Sequence, residues 1–562
     1  MPQSDALTVS DAVRESFQQV LLALPLIRDV LAGRPDIVNI RPGYQYPDGG
    51  EPVPSAVVAV VPDTMPVSAQ ELQEQFGVPV SVTDATVEEQ LAQIDAAPVA
   101  FGTTGGATVS PLEAMLRDEA VIAFAPPKRG TYEPMDPPNL PLVEEKMGLT
   151  VCVSPEAGWS ELEAFLGGTR KRLTVAMYQF TAPHVFKAIE EAVTPGHRTF
   201  ELVLHPFVEP PTKGVKEHDL KTKTEILEPL DVEMRNRFEH TWATFKTAKR
   251  TDGLWASAYH IKVAVRDGKA GWLSSGNWQS TNQPDVHLFG DGADPDQPLP
   301  DGFPGAYNRE YHAIFESKTL AAIFEEYIKR DFELCASQAG EPVEFAAPDV
   351  FVPEAVELPE AFGQGGQFFP PLRVDRVVKV QPLLTPDNYA ENVLKLIKSA
   401  KKSLRFQNQY INLRGDGEDF PELLALVEAL KEKALDPDVE VRLIFRNLMT
   451  DDKLDLLTAH GFPRTTIRFQ EGCHNKTIIV DDKVAMVGSH NWSSEGVAAN
   501  RDASLIFFDD EIAEYLAGVF DDDWEFRAND KPARTTPRVA RPGEPTPPGF
   551  TRQPFSAVFD DD

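Results

Sequence analysis

HIKVAVRDGKAGWLSSGN, residues 260–277, and HNKTIIVDDKVAMVGSHN, residues 474–491, decide how this chain is read. They carry His260, Lys262, Asp267, Ser275 and Asn277 in the first copy and His474, Lys476, Asp481, Ser489 and Asn491 in the second, in one register 214 residues apart. A loose pattern matches easily once; a second match in the same frame is much harder to meet. In a strand, residues two apart share a face, so His260 projects with Lys262 and His474 with Lys476. The chain past each aspartate returns through a second strand, bringing Ser275/Asn277 and Ser489/Asn491 back beside that pair. Two imidazoles, two ammonium groups and two amides in one cleft suit a phosphodiester. Cations and amides cradle the nonbridging oxygens, and an imidazole stands on either side of phosphorus.

The repeat extends outward. KRLTVAMYQF (171–180) aligns with KSLRFQNQYI (402–411), Leu173 matching Leu404. Helical patterns follow at 183–193 and 421–434, then strands at 199–204 and 439–445. Strand, helix, strand in that order reads as a right-handed βαβ unit. The predicted fold is α/β: two lobes related by pseudo-twofold symmetry, each a mixed, mostly parallel sheet flanked by helices, plus a small N-terminal α+β module. Proline- and glycine-rich breaks place the module at 1–125, a linker at 126–142, lobe 1 at 143–339, a linker at 340–371, lobe 2 at 372–528 and a Pro/Arg-rich tail at 529–562, either loosely ordered or an arm over the surface. In the module, Val13, Phe17, Val20, Leu21, Leu24 and Ile27 follow helical spacing. Strands are expected at Ala56–Val61 and Val78–Val82, with a helix at Glu71–Phe76 between them. Thr103 to Gly106 reads as a plain turn rather than a phosphate loop.

Composition narrows the classes. The chain has 562 residues, 54 basic and 87 acidic, with a net charge of −33. Such acidity repels nucleic acid and anionic membranes at long range, so a phosphate site must be a local basic exception. Cys152, Cys335 and Cys473 lie far apart, which excludes a disulfide framework or zinc ribbon. Val20–Ile27 is too short to span a membrane, and Asp5, Asp11 and Glu15 precede it where a secretory signal would be basic. A cytoplasmic location is the expectation, with specialised secretion left open.

The paired motif resembles that of the phospholipase D superfamily, which also holds cardiolipin synthases, phosphodiesterase-type nucleases and tyrosyl-DNA phosphodiesterases. The likeness covers about Leu142 to Arg527. The second motif matches in full; the first departs at Ser274, where the family usually has glycine. The resemblance implies a two-step ping-pong reaction through a phosphohistidine, without metal or cofactor. By analogy His260 is the nucleophile and His474 the general acid, then base. One imidazole must start neutral and the other protonated, so their surroundings must differ. The resemblance also implies an acidic residue beyond each motif to fix the imidazole. Asn308-Arg309-Glu310 and Asn500-Arg501-Asp502 are matching segments that offer Glu310 and Asp502, with Glu495 a runner-up for the second site. Lys262, Lys476, Asp267 and Asp481 complete the catalytic set, the aspartates as holders of lysine and loop geometry. Ser275, Asn277, Ser489 and Asn491 are assigned to the substrate phosphate.

Other features have plainer readings. The insertion Pro284–Pro304 is expected as a rim loop. His205 and His240 read as surface or packing histidines, Cys473 as pointing away from His474 into the interior, and Trp278 and Trp492 as core. Lys213–Arg250 holds nine basic and seven acidic residues with Phe238, Trp242 and Phe245 among them. That is a solvated helix, or else a mouth attracting phosphate. Both motifs in one chain fit a catalytic monomer and favour a glycerophospholipid substrate with peripheral membrane contact. The small nucleases of the family carry one motif and dimerise. A nucleic-acid phosphodiesterase is the alternative, and an inactive regulatory member acting through its N-terminal module a further one.

Overall fold

The structure is a computed structural model that describes residues 11–32, 34, 36–45, 53–61, 67–85, 90, 129–206, 219–243, 254–290, 293, 297–337, 349–353, 366–413, 419–447, 454, 457–458, 460–530, 538–540, 544–547 and 550–554. The N-terminal part is a helix (Asp11–Leu31) on a three-stranded sheet of β1 (Ile37–Gln45), β2 (Val53–Val60) and β3 (Val80–Asp84). Val20, Leu24, Ile27 and Leu31 of the helix pack on Ala56, Val58 and Val60 of β2. A second helix, Ala69–Phe76, starts where Ser68 accepts the Glu71 amide and stops at Gly77 (φ 68°). This helix starts two residues before its expected span, β2 starts three residues before its own, and β3 lies two residues beyond its expected place. β1 has no expected counterpart, because its Pro42-Gly43 pair reads as a turn. Thr103–Gly106 lies outside the described residues.

The strands that carry the repeat are β4 (Val143–Ser154), β5 (Arg172–Met177), β6 (Thr199–Leu204), β7 (Phe238–Trp242), β8 (Lys262–Arg266), β9 (Ala270–Ser274) and β10 (Glu310–Glu316) in the first half. After β11 (Asp349–Pro353) come β12 (Leu372–Leu384), β13 (Ser403–Gln407), β14 (Glu440–Arg446), β15 (Ile467–Gln470), β16 (Lys476–Val480), β17 (Val484–Gly488), β18 (Ala503–Phe508) and β19 (Ala528–Asn529). They form one 15-stranded sheet, ordered β19-β15-β14-β13-β16-β17-β18-β12-β4-β10-β9-β8-β5-β6-β7. Outward from β4 and β12 the order repeats: β4-β10-β9-β8-β5-β6-β7 mirrors β12-β18-β17-β16-β13-β14-β15.

The sheet is mixed, as expected, but parallel pairing is confined to β5-β6-β7 and β13-β14-β15; every other pair is antiparallel. The βαβ units supply the parallel part, and the motif hairpins make the rest antiparallel. The two halves form one continuous sheet. They join edge to edge through β4 and β12, paired from Leu372↔Val151 to Val380↔Val143.

Alternation along the strands fills layers on both faces. Ile479, Val487, Leu505, Val263, Leu273 and Ala313 face a core shared by both halves under the helices Lys318–Ala336 and Asp510–Asp522. Ile478, Met486 and Ile506 face a second core under Tyr389–Ser399 and Pro421–Leu435. Val175, Leu202 and Ala264 face a third under Gly158–Gly167 and Pro183–Val193.

The expected linkers do structural work. Tyr132 stacks on Trp255 (centroids 5.6 Å), and Arg129 makes a two-pronged pair with Glu422, so the first linker straps both halves. In the second linker β11 pairs with β20 (Arg538–Val539) and β21 (Phe550–Pro554), so these described residues of the tail are held in a sheet. The insertion packs on helix Gly158–Gly167, where Trp159 donates to Asp285 (3.0 Å) and His287 meets Glu163 (2.9 Å). Among the described residues no helix is long and apolar enough to cross a membrane.

Candidate active site

Each motif is a hairpin whose strands are joined by three residues, 267–269 and 481–483. Asp267 and Gly268 (φ 56° and 61°) and Asp481 and Asp482 (φ 54° and 55°) hold the left-handed turn residues that join β8 to β9 and β16 to β17. The Asp267 carboxylate accepts the backbone amides of Arg170, Lys171 and Arg172, and Asp481 those of Lys401, Lys402 and Ser403. Burial alone would raise both carboxyls; the amides outweigh it and lower them. Asp267 stands at the far end of β8 from Lys262, about 16 Å away at 3.3 Å per residue. The motif aspartates are therefore corrected from the catalytic set. They bond neither the motif lysines nor the motif histidines, and clamp the start of β5 and β13.

At the other end of these hairpins the halves interlock. His260 Nδ1 lies 2.8 Å from Asp502 Oδ1, and His474 Nδ1 lies 2.5 Å from Glu310 Oε1. Each histidine takes its carboxylate from the opposite half. Bridges between Tyr259 and Arg501 and between Cys473 and Arg309 align the crossing. The arginines that precede the carboxylates rivet it: Arg309 pairs with Glu156 and Asp523, Arg501 with Asp331 and Asp387, all buried. Sequence reading noted these arginines only as part of a matching segment. Glu495 sits in the short helix Ser494–Ala498, and neither histidine pair uses it.

The lysines are held locally, Lys262 Nζ by His260 O (2.7 Å) and Lys476 Nζ by His474 O (2.5 Å). Lys476 Nζ is also 3.3 Å from His474 Nε2, whereas His260 Nε2 is buried without a hydrogen-bond partner among the described residues. His260, Lys262, Asn277, His474, Lys476 and Asn491 each expose at most 3% of their surface. Burial, then the Lys262 charge, lowers the His260 pKa, and Lys476 adds to this. Burial pushes Asp502 up, but His260, His490 and Lys262 outweigh it and hold the carboxyl at about 2. At Glu310 burial wins over Lys476, Ser275 and Asn282 and raises the carboxyl. The two dyads are electrostatically unequal.

The motif serines are also corrected. Ser275 donates to Glu310 (2.6 Å) and accepts from the Tyr311 amide, and Ser489 donates to Asp502 (2.6 Å) and accepts from the Ala503 amide. Their hydroxyls hold the orienting carboxylates rather than a phosphate. The asparagines stay available: Asn277 Oδ1 and both amide atoms of Asn491 are buried without partners among the described residues. Asn282 was missed. Its amide donates to Glu310 and lies 3.5 Å from His474 Nδ1, and nothing in the motif spacing marks it.

Ser274, the departure in the first motif, has a structural explanation. Its hydroxyl bonds His312 Nδ1 (2.8 Å), and His312 Nε2 bonds Ser154 (2.8 Å). In the second half His490 Nδ1 bonds Ser504 (2.7 Å) and its Nε2 faces Thr385 (3.3 Å). By motif register Ser274 corresponds to Gly488, and Gly276 to His490; His312 corresponds to Ser504. Both halves thus build a hydroxyl–imidazole–hydroxyl bridge behind the carboxylate, with serine and histidine exchanged between strands. A Cβ on Gly488 would stand 1.7 Å from the Ser504 hydroxyl, so the exchange works only as a set.

The remaining expectations fall as follows. Trp278 and Trp492 are core, packed edge-on against Phe180 and Phe406. Cys473 is buried with Sγ 3.4 Å from Asn408 O. His240 stacks on Phe238 of the edge strand β7. His205 is buried near the site, its Nδ1 accepting the Tyr259 amide (3.1 Å). Of the basic stretch, residues 219–243 are described; they form short helical turns and β7, with Arg237 donating to the carbonyls of Arg198 and Thr194.

Comparison with known proteins bears on the second half. Residues 393–524 match a family model described as cardiolipin synthase, PLD-like domain. This stretch is a phospholipase D-like domain. It contains His474, Lys476, Asp502 and the Ser489–Asn491 turn. The chain is 28% identical over 174 residues to cardiolipin synthase of Staphylococcus aureus strain Mu50, a match covering 28% of this chain and 32% of that protein. Cardiolipin synthase 2 of S. aureus strain COL gives the same figures, so the match spans about a third of these curated relatives. Among solved structures, phosphatidylserine synthase of Haemophilus influenzae Rd KW20 aligns at TM-score 0.43 and 12% identity, covering 70% of this chain and 90% of that one. Nuc of Salmonella typhimurium, a phospholipase D family member, aligns at TM-score 0.22 and 22% identity, covering 27% and 97%.

Proposed function

We propose that this protein is a phospholipase D-type phosphodiesterase that hydrolyses a glycerophospholipid or transfers its phosphatidyl group to an alcohol, through a phosphohistidine. The crossed dyads carry the reading, together with the open Nε2 of His260. With Nδ1–H donating to Asp502, His260 Nε2 keeps its lone pair, and its lowered pKa keeps that lone pair unprotonated near neutrality. Nε2 attacks phosphorus: a P–N bond forms, the P–O bond to the leaving alcohol breaks, and His474 gives that oxygen a proton. Water or a second alcohol then attacks, the P–N bond breaks, and His474 takes the proton back. Glu310, with its raised proton affinity, is the partner that steadies His474 through this cycle. Lys262, Lys476, Asn277 and Asn491 carry the charge on the nonbridging oxygens.

The lipid substrate is supported by the cardiolipin synthase family match and by the net charge of −33, which opposes nonspecific nucleic-acid binding. The test incubates the full chain with phosphatidylglycerol vesicles, with phosphatidylcholine plus ethanol, and with single- and double-stranded DNA. Cardiolipin or phosphatidylethanol is the expected product, formed equally in EDTA because the scheme draws its positive charge from side chains. DNA cleavage without lipid turnover overturns the substrate. Turnover that survives His260→Ala and His474→Ala overturns the mechanism.

A further inference from the structure

The half-sites differ at a further aligned position, beside the motif lysine. Counting from the Leu173/Leu404 match, Tyr178 corresponds to Gln409, and the bridges Phe180–Trp278 and Ile411–Trp492 keep that register. Tyr178 follows β5 and is buried. Lys262 Nζ lies 4.9 Å from its ring centroid, and the His260 ring meets it edge-on at 4.9 Å and 68°. His205 stacks on it at 4.7 Å and 29°, itself fixed by the Tyr259 amide. The second half has no ring at that position, and there the lysine approaches the histidine nitrogen to 3.3 Å.

We propose that Tyr178 is a positioning residue: its ring face holds the Lys262 ammonium away from His260 Nε2 and so makes His260, not His474, the nucleophile. The inference rests on the phosphodiesterase reading. An ammonium is attracted to an aromatic face and most strongly in a desolvated site, so the ring offers Lys262 a second seat besides the His260 carbonyl. Glutamine offers no such face, and Lys476 settles on the imidazole of its own motif. An ammonium hydrogen-bonded to Nε2 occupies the lone pair that must reach phosphorus. The low proton affinity of His260 agrees with this arrangement. His205 adds stiffness: with one face of Tyr178 against His205, the ring cannot tilt away from the lysine.

The test uses the full chain and bis(4-nitrophenyl) phosphate in a stopped-flow instrument. Release of the first nitrophenol reports formation of the phosphoenzyme, and the steady state reports its breakdown. Tyr178→Gln, which installs the residue of the other half, is expected to slow the burst at least ~10-fold while breakdown changes less than ~2-fold. Tyr178→Phe keeps the ring and is expected to keep the burst. If Tyr178→Gln melts early, Tyr178→Met, apolar but without a ring face, is expected to give the same slow burst. Equal slowing of both steps, an unchanged burst in Tyr178→Gln and Tyr178→Met, or phosphate trapped on His474 in the wild type overturns the proposal. Absence of any burst and turnover in the wild type overturns the phosphodiesterase reading and this inference with it.

Discussion

The imidazole of His260 is hydrogen-bonded to Asp502, 242 residues further along the chain. The proposed nucleophile of one half is therefore held by a carboxylate of the other. Asp502→Asn removes the negative charge that keeps the proton on Nδ1 and leaves Nε2 open. The rate of phosphoenzyme formation is expected to fall on the order of 10²–10⁴-fold, with the melting temperature changed little. A pre-steady-state burst of normal rate in Asp502→Asn contradicts the assignment.

The motif aspartates predict the opposite pattern. Asp267→Ala or Asp481→Ala deletes a clamp on three backbone amides and leaves the reacting groups in place. Each is expected to cost roughly 1–2 kcal/mol of stability, read as a lower urea midpoint. The kcat of the folded fraction should stay within about 3-fold of wild type. A large fall in kcat at unchanged stability refutes the structural role.

Buried neutral histidines set the acid limit of stability. Burial lowers His312 to about 4 and His490 to about 3, with His260 and Lys262 adding to the latter. In the unfolded chain both take up a proton near 6.5. The unfolded state thus binds more protons below that pH, and stability falls as pH drops from about 6.5 towards 4 and 3. Urea midpoints at pH 8, 6, 5 and 4 should show a plateau above about 7 and a decline below it. His312→Gln is expected to reduce the slope, and an unchanged slope contradicts the cause.

The exchanged serine–histidine bridges predict a compensation. Gly488→Ser alone drives a side chain into Ser504 and is expected to be destabilising by about 1–3 kcal/mol. Adding His490→Gly and Ser504→His reproduces the Ser274, Gly276 and His312 arrangement of the first half. The triple variant is expected to melt higher than the single one and to recover turnover. If the triple melts no higher, the bridges are not equivalent.

How much of this was legible depended on range. The motif strands β8, β16 and β17 are short runs with β-branched residues beside turn residues, and local pattern marks them; β9 follows as the return strand of its hairpin. The βαβ units show for the same reason. β4 and β12 join the halves through residues more than two hundred positions apart, and no local period encodes that pairing. Glu310 and Asp502 were found because their segments repeat, yet spacing could not reveal that each serves the opposite histidine. Ser275 and Ser489 looked like phosphate ligands because a hydroxyl beside an asparagine suits an oxyanion. Their actual partners are on β10 and at the start of β18, with Asp502 just before it. Asn282 and Tyr178 belong to one half only, so the repeat that exposed the other residues hid these two.

Duplicated sequences are often spare parts, one copy free to decay while its sibling keeps the job. The crossed carboxylates deny this chain that freedom. A lesion in either copy disarms a histidine in the other, so neither can serve as backup, and drift in one must be answered in step.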